Sequence, residues 1–316
     1  MDQQDPVTII GPPLDAWLTA VMLARFAPLA GAPLQVLEMP SAAAENEIVT
    51  LRPEMVRTHV SIGLDPKRIG AAPVQAWTGP RGQSLPFNSF GQPLKGVSFI
   101  AIWLRAREEL GDTRPLESFA AARPSGAYAI EVGRYVQALK AIAIKVGVTL
   151  CAHASGRIIQ ADPNYTAAEP ARLVGAAAIT LRPSATLRLQ AVHYSVLTLI
   201  DCWSWRETDR ELADAEYDRR LEAMRTPIQD MQTVLCDEAQ LKDYSSDLQH
   251  RIAVWRDIGR VAPVDNDPFG SQEWMSAFLH AGVAPANAGR LAQSLTQTEI
   301  ADHLQACSPK EVANVQ

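Results

Sequence analysis

Val7-Thr8-Ile9-Ile10-Gly11-Pro12-Pro13-Leu14-Asp15-Ala16-Trp17 is the stretch whose reading decides the fold. Its first four residues are all β-branched, which suits a strand, and the run stops at a glycine. After a tight, proline-containing turn, Trp17-Leu18-Thr19-Ala20-Val21-Met22-Leu23-Ala24 reads as a helix with a buried face. Leu34-Gln35-Val36-Leu37-Glu38 then reads as a second strand ending in an acid. Strand, turn, helix and strand make the βαβ unit that opens nucleotide-binding folds.

Working outward, Pro53 to Ile69 reads as a helix behind a proline start. Ala71 to Pro93 reads as a Gly/Pro-rich loop with short strands. Val97 to Trp103 reads as a strand, Ala129 to Val146 as a helix, and Gly147–Leu150 and Gly156–Gln160 as strands. From Leu189 onward the composition changes: Leu212–Cys236, Asp247–Gly259 and Glu273–His280 are helix-length, and no convincing strand follows Thr180. The expected architecture is a reduced, Rossmann-like α/β domain of the FAD/NAD(P)-binding type over residues 1–184. A mostly helical C-terminal region, residues 185–316, is expected to pack on it.

A chain of 316 residues, 47% hydrophobic and 20% charged, has ample apolar material for a core. Its net charge of −6 and lack of a basic stripe argue against a nucleic-acid partner. No apolar run reaches the roughly 20 residues that cross a bilayer. The opening Met1-Asp2-Gln3-Gln4-Asp5 is acidic where a signal peptide is basic, so a cytoplasmic location is expected. Cys151, Cys202, Cys236 and Cys307 form no CxxC pair, and the six histidines form no H-x-H, H-x-x-H or H-E-x-x-H. No metal site is expected, and the thiols are expected to be reduced and mostly buried. His193-Tyr194-Ser195 reads as packing and capping polarity rather than a nucleophile set. Trp103, Trp255 and Trp274 read as core, and the charged run Asp201–Arg220 as a solvated helix face.

The turn after the first strand is where a dinucleotide's phosphates would be held. G-x-G-x-x-G needs its second glycine for close approach of backbone to phosphate and its third for helix–strand packing. Here Gly11 survives, Pro13 stands at the second glycine and Ala16 at the third. Pro12 and Pro13 each remove an amide donor, and Asp15 puts a negative charge where an anion would sit. Glu38 holds the place of the acid that binds a ribose hydroxyl in such folds. Gly11, Ala16 and Glu38 are the candidate cofactor residues.

Taken together, these residues resemble the flavin-dependent tryptophan halogenases, a branch of the FAD-dependent monooxygenase superfamily. Ile10-Gly11-Pro12-Pro13-Leu14-Asp15-Ala16-Trp17 is similar to their G-G-G-T-A-G-W, Leu37-Glu38-Met39-Pro40 to V-E-S-P, and Ile62-Gly63-Leu64-Asp65 to L-G-I-D. Leu212-Ala213-Asp214 with Glu216-Tyr217-Asp218-Arg219-Arg220 resembles L-A-x-x-Y-N-R-R. Leu248 to Arg260 resembles L-x-x-R-I-x-x-F-R-x-x-G-R, with Phe269, Trp274, Gly282 and Pro285 continuing it.

The departures fall on the chemistry. The resemblance places Thr78 at the family's essential lysine and Ala185 at its essential glutamate, with Leu187 and Arg188 in the small halide-binding turn. Ile48 to Pro53 keeps little of G-E-A-T-I-P beyond its proline. Gln160 to Leu173 passes straight through the region of the substrate-facing sheet. Trp203-Ser204-Trp205 copies the W-x-W spelling in the wrong place. The resemblance thus implies a shortened, degenerate member of the family. No catalytic residues and no bound cofactor are expected, FAD being the one implied if any is held. The expected mode of action is binding, with a halogenase-like subunit or a second copy of the chain as partner. The alternative is a divergent FAD-dependent halogenase or monooxygenase-type oxidoreductase, and a third reading is a small-molecule binder.

Overall fold

The computed structural model describes residues 5–29, 31–40, 44–119, 124–161, 172–174, 184–204, 207–236, 244–261, 267–286 and 292–308. Its described residues fall into two compact units, and neither is a continuous segment. The first comprises 1–74 and 126–232, the second 75–125 and 233–316. The expected boundary at 184/185 lies inside the first unit.

The first unit is built on β1 (Val7–Gly11), the centre of a five-stranded sheet of order β10-β9-β1-β2-β8, with β2 Leu34–Glu38, β8 Thr149–Leu150, β9 Arg157–Gln160 and β10 Arg172–Leu173. Every pairing in it is parallel; Val7 stands opposite Leu34 and Arg157. A parallel central strand is covered on both faces, which is why β1 is an unbroken β-branched run and is wholly buried. Its one polar side chain is satisfied: Thr8 Oγ1 donates to the Ser155 carbonyl at 2.6 Å.

Helix α1 (Pro13–Phe26) begins four residues earlier than Trp17, because Pro13 at the first helical position is already set at helical φ. It packs on β1 and β2 and against α4 (Val132–Lys145) and α5 (Ala185–Asp201), so it is apolar nearly all round. A second, antiparallel sheet of order β3-β7-β4 pairs Ile48–Leu51 with Ala127–Glu131, and the latter with Ala72–Val74. Helix α2 (Pro53–Ser61) stops well short of Ile69: Gly63 takes φ +92°, the left-handed value glycine supplies past a helix end, and turns follow. Helix α6 (Glu207–Cys236) runs on from the first unit into the second. Its Tyr217 hydroxyl donates to the Leu173 carbonyl, and its Asp214 pairs with Arg172, so two contacts fasten β10.

The second unit holds the β5–β6 hairpin (Ala76–Thr78 with Ser84–Pro86), α3 (Phe99–Glu109), a 3-10 turn (Leu116–Ser118), α7 (Ser246–Ile258), α8 (Ser271–His280) and α9 (Gln297–Cys307). Val97 to Trp103 is therefore not a strand. The continuous apolar run Phe99–Leu104 is the buried body of α3, which continues into the Arg105–Glu109 pair at 2.8 Å. A short apolar run fits a fully buried helix as well as a strand, and only the charged residues beyond it separate the two. Similarly, the helix expected from Ala129 starts at Val132, because Ala127–Glu131 is β7, whose partners lie far off in sequence. Among the described residues no strand follows Thr180, and no helix is long and apolar enough to cross a membrane.

Trp103, Trp255 and Trp274 are buried, as expected. Of the cysteines only Cys307 is buried; Cys151, Cys202 and Cys236 are partly exposed, a correction to the expected burial.

Packing by itself calls for a glycine at Gly11. A Cβ there would stand 2.7 Å from the Ala161 Cβ, where the chain leaving β9 crosses β1 and the Ala161 N–H donates to Ile10. Gly11→Ala is expected to destabilise the protein by about 1–3 kcal/mol through this overpacking, read as a melting point several degrees lower with no ligand present. An unchanged melting point would remove this account of Gly11.

Candidate functional site

The turn between β1 and α1 is where the fold offers a phosphate site. Pro12 is the N-cap (φ −59°, ψ 153°) and Pro13 the first helical residue, and the first helical bond runs from Ala16 N–H to the Pro12 carbonyl at 2.9 Å. Helix N-termini bind anions through their unpaired N–H groups, and two of those groups are absent here. The anion is supplied by the chain itself. Asp15, in the first turn of α1, is fully buried, and Arg188 of α5 grips it, Nε lying 2.9 and 3.0 Å from the two carboxylate oxygens. A carboxylate in the first helical turn is also favoured by the helix dipole. The pair joins two positions that the sequence offered as separate losses, the fifth residue of the phosphate turn and the last of the halide turn. These residues fit their own ion pair better than a pyrophosphate: two of the turn's amide donors are gone and a carboxylate stands at the helix N-terminus.

Glu38 is also engaged. It lies at the end of β2, accepts a hydrogen bond from Trp17 Nε1, and pairs with Lys140 of α4 at 2.6 Å; the Lys140 ammonium stands 5.6 Å from the Trp17 ring centroid. Partial burial raises its pKa, but the hydrogen bonds from Lys140 and Trp17 outweigh it and hold the carboxyl below its ordinary value. Ala16 is fully buried in α1, consistent with the helix–strand packing role of the third glycine. Gly11, Ala16 and Glu38 are thus brought together, each with a structural task of its own.

Thr78 is exposed on β5 in the second unit. Ala185 is the first residue of α5 and is buried. Its N–H donates to Glu47 at 2.9 Å, and the neighbouring Thr186 hydroxyl accepts from Thr50 N–H of β3 at 3.1 Å. A carboxylate does stand beside position 185, but it comes from Glu47 and ties α5 to β3. Leu181-Arg182-Pro183, most of Gln160 to Leu173, and Trp205 lie outside the described residues. Ile48–Leu51 is plain β-strand, and Arg52 after it pairs with Glu54. Reading the sequence missed Lys140 and Glu47, and it named Arg188 without its partner Asp15. The signal for Arg188 was a lone arginine in the apolar run Ala185–Leu189, but nothing local names its partner.

Beneath the site lies a neutral histidine pair. His59 Nδ1 bonds the Met55 carbonyl at 2.8 Å, and its Nε2 meets the Tyr135 hydroxyl at 2.6 Å. His193 stacks on it with ring centroids 5.9 Å apart. The His59 interactions fix a tautomer in which Nδ1 carries the proton and Nε2 accepts from Tyr135. Burial lowers the His59 pKa to about 4; burial, then the nearby His59, lowers that of His193 to about 3. Ser195 donates to the Val192 carbonyl of its own helix at 3.1 Å, so His193-Tyr194-Ser195 is packing, as its sequence suggested. Among the described residues no three His, Cys, Asp or Glu side chains gather as metal ligands.

The family-like C-terminal segment is a packing device within the second unit. Arg251 of α7 pairs with Asp267, which also accepts from Trp274 Nε1 at 2.8 Å and from Phe269 N–H at 2.9 Å. The guanidinium lies 4.4 Å from the Trp274 ring centroid. Trp77 Nε1 donates to buried Glu273 at 2.6 Å. These contacts explain why Arg, Phe and Trp recur there without reference to catalysis.

Comparison with solved structures shows the same fold in flavin-dependent halogenases. Xcc4156, a flavin-dependent halogenase from Xanthomonas campestris, superposes with a TM-score of 0.69 at 14% identity, covering 96% of this chain and 94% of that one. BrvH, a flavin-dependent halogenase from Brevundimonas sp. BAL3, gives 0.67 at 14% identity, covering 96% of both chains. SttH, a tryptophan 6-halogenase from Streptomyces toxytricini, gives 0.67 at 10% identity over 96% of both. No family model and no curated protein matches the chain. The expected α/β architecture and the likeness to the tryptophan halogenases hold at the level of fold.

Two outcomes follow from this geometry. Arg188→Met takes its ion-pair partner from a buried carboxylate and is expected to cost about 3–5 kcal/mol in unfolding, whereas adding Asp15→Asn restores a large part of it; additive losses in urea unfolding would mean the two residues do not interact. The unfolded histidines titrate near 6.5 while the folded ones stay neutral to about 4 and about 3. Below 6.5 the unfolded state therefore binds protons that the fold refuses, and stability falls as pH drops from about 6.5 to about 4. His193→Phe should make the decline of melting temperature over that window shallower by close to one proton; an unchanged slope would contradict it.

Proposed function

We propose that this chain is a non-catalytic relative of the flavin-dependent halogenases that acts by binding a protein partner. The carrying observation is the Asp15–Arg188 pair: the chain's own anion stands at the N-terminus of α1, held by a cation from the turn that would hold halide. Support comes also from Thr78 and Ala185, which can form neither a chloramine nor a carboxylate, and from Glu38, committed to Trp17 and Lys140.

Binding is supported by the apolar side chains Ile144, Val146 and Leu150, which are 65%, 55% and 62% exposed. They follow one another from the end of α4 into β8, an edge strand of the parallel sheet, and exposed apolar surface beside an open edge suits association. The partner is proposed to be a halogenase-like subunit, or failing that a second copy. The shared fold supports the alternative, a divergent flavin-dependent oxidoreductase, and one assay separates the two. Given reduced flavin, oxygen and halide, the protein is expected to show no oxygen consumption above the free-flavin rate and no halide incorporation into indole substrates. Turnover abolished by Glu38→Ala would establish the enzyme instead. Size-exclusion with light scattering, alone and with a flavin-dependent halogenase, should show a complex at micromolar concentrations; a monomer under both conditions would remove the partner reading.

A further inference from the structure

The second unit carries a cavity that the flavin reading leaves unused. It has a volume of about 240 Å³ and opens to solvent between the start of α3, the start of α8 and the segment Gly259–Val261. Phe99, Ile100, Val261 and Met275 give it an apolar floor, and all four are buried. Its charged lining residue is Arg260, exposed at the rim. Among the described residues Arg260 makes no ion pair, unlike the nearby Arg251, which is spent on Asp267. Among the described residues the lining includes no Asp or Glu.

We infer that this cavity binds a small carboxylate with an apolar body and no ammonium group. The apolar floor takes the body by excluding water from it, and the guanidinium takes the carboxylate, which matches its fork of donors. Ser98, Phe99 and Ile100, the N-cap and first residues of α3, line the same space, and a helix start there favours a negative charge. The missing acidic group is what sets the class: an amino acid would leave its ammonium against apolar surface with nothing to pair it, and a free amine would meet Arg260. The volume lies below the roughly 300 Å³ at which drug-sized sites begin, which limits the ligand to roughly a single ring or a short branched chain. None of this depends on whether flavin binds in the first unit.

Phenylacetate is the probe, with phenylalanine and benzylamine as controls, each titrated calorimetrically into the full chain. Phenylacetate is expected to bind at sub-millimolar concentration, with phenylalanine and benzylamine at least tenfold weaker. Arg260→Gln, a change at an exposed side chain, should weaken phenylacetate at least tenfold while leaving the melting temperature of the unliganded protein unchanged. Absence of phenylacetate binding at millimolar concentration, equal binding of benzylamine, or equal binding by Arg260→Gln would each overturn the assignment. Activity and flavin measurements leave this result untouched, so its failure is distinct from failure of the non-catalytic reading.

Discussion

The contact between Asp15 and Arg188 constrains the first unit more than any other. Asp15 is fully buried at the head of α1, and a carboxylate in that position is tolerable only with a cation at hydrogen-bonding distance. Arg188 meets that need from the first turn of α5, so the start of α5 must lie against the N-terminus of α1. Once it does, Thr186 and Ala185 fall beside Thr50 and Glu47, and the antiparallel sheet is fastened to the same helix. One ion pair thus sets the relation of the parallel sheet, the central helix and the second sheet.

On the non-catalytic reading proposed above, the same contact lets a nucleotide-binding architecture stand without a dinucleotide. In a dinucleotide site the helix dipole and its open amides are stabilised by phosphate. Removing the ligand would leave a buried N-terminus facing empty polar space. Two prolines reduce the number of amides needing partners, and Asp15 supplies a permanent negative charge to the rest. Lys140 and Trp17 do for Glu38 what a ribose would do, giving the carboxylate its hydrogen bonds. Two departures from the halogenase pattern, at Asp15 and Ala185, are met by contacts inside the protein, with Arg188 and Glu47. In the second unit Arg251, Asp267 and Trp274 satisfy one another in the same way.

The βαβ opening was legible because its signals are local: a β-branched run, a glycine stop, a proline at the first helical position and an acid closing the second strand. The helices with charged faces were legible for the same reason, since Glu216 with Arg219 and Arg220 shows its pairing within one turn. What escaped was set at long range. β3 and β7 are short and find each other across nearly eighty residues, and α3 is apolar enough to pass for a strand until its charged end. At the site, the losses at the phosphate turn and the halide turn could be seen singly, but their complementarity could not, because 173 positions separate Asp15 from Arg188. Gly11 was read only as a phosphate-turn residue, and nothing in the sequence pointed to Ala161, whose Cβ adds a packing reason for the glycine.

The most direct test is the visible absorption spectrum of the purified protein after incubation with excess FAD and removal of unbound cofactor. An ion pair filling the head of α1 predicts a colourless, folded protein with no flavin band. A flavin band approaching one equivalent per chain would show that Pro12, Pro13 and the Asp15–Arg188 pair admit the cofactor, and would contradict the account.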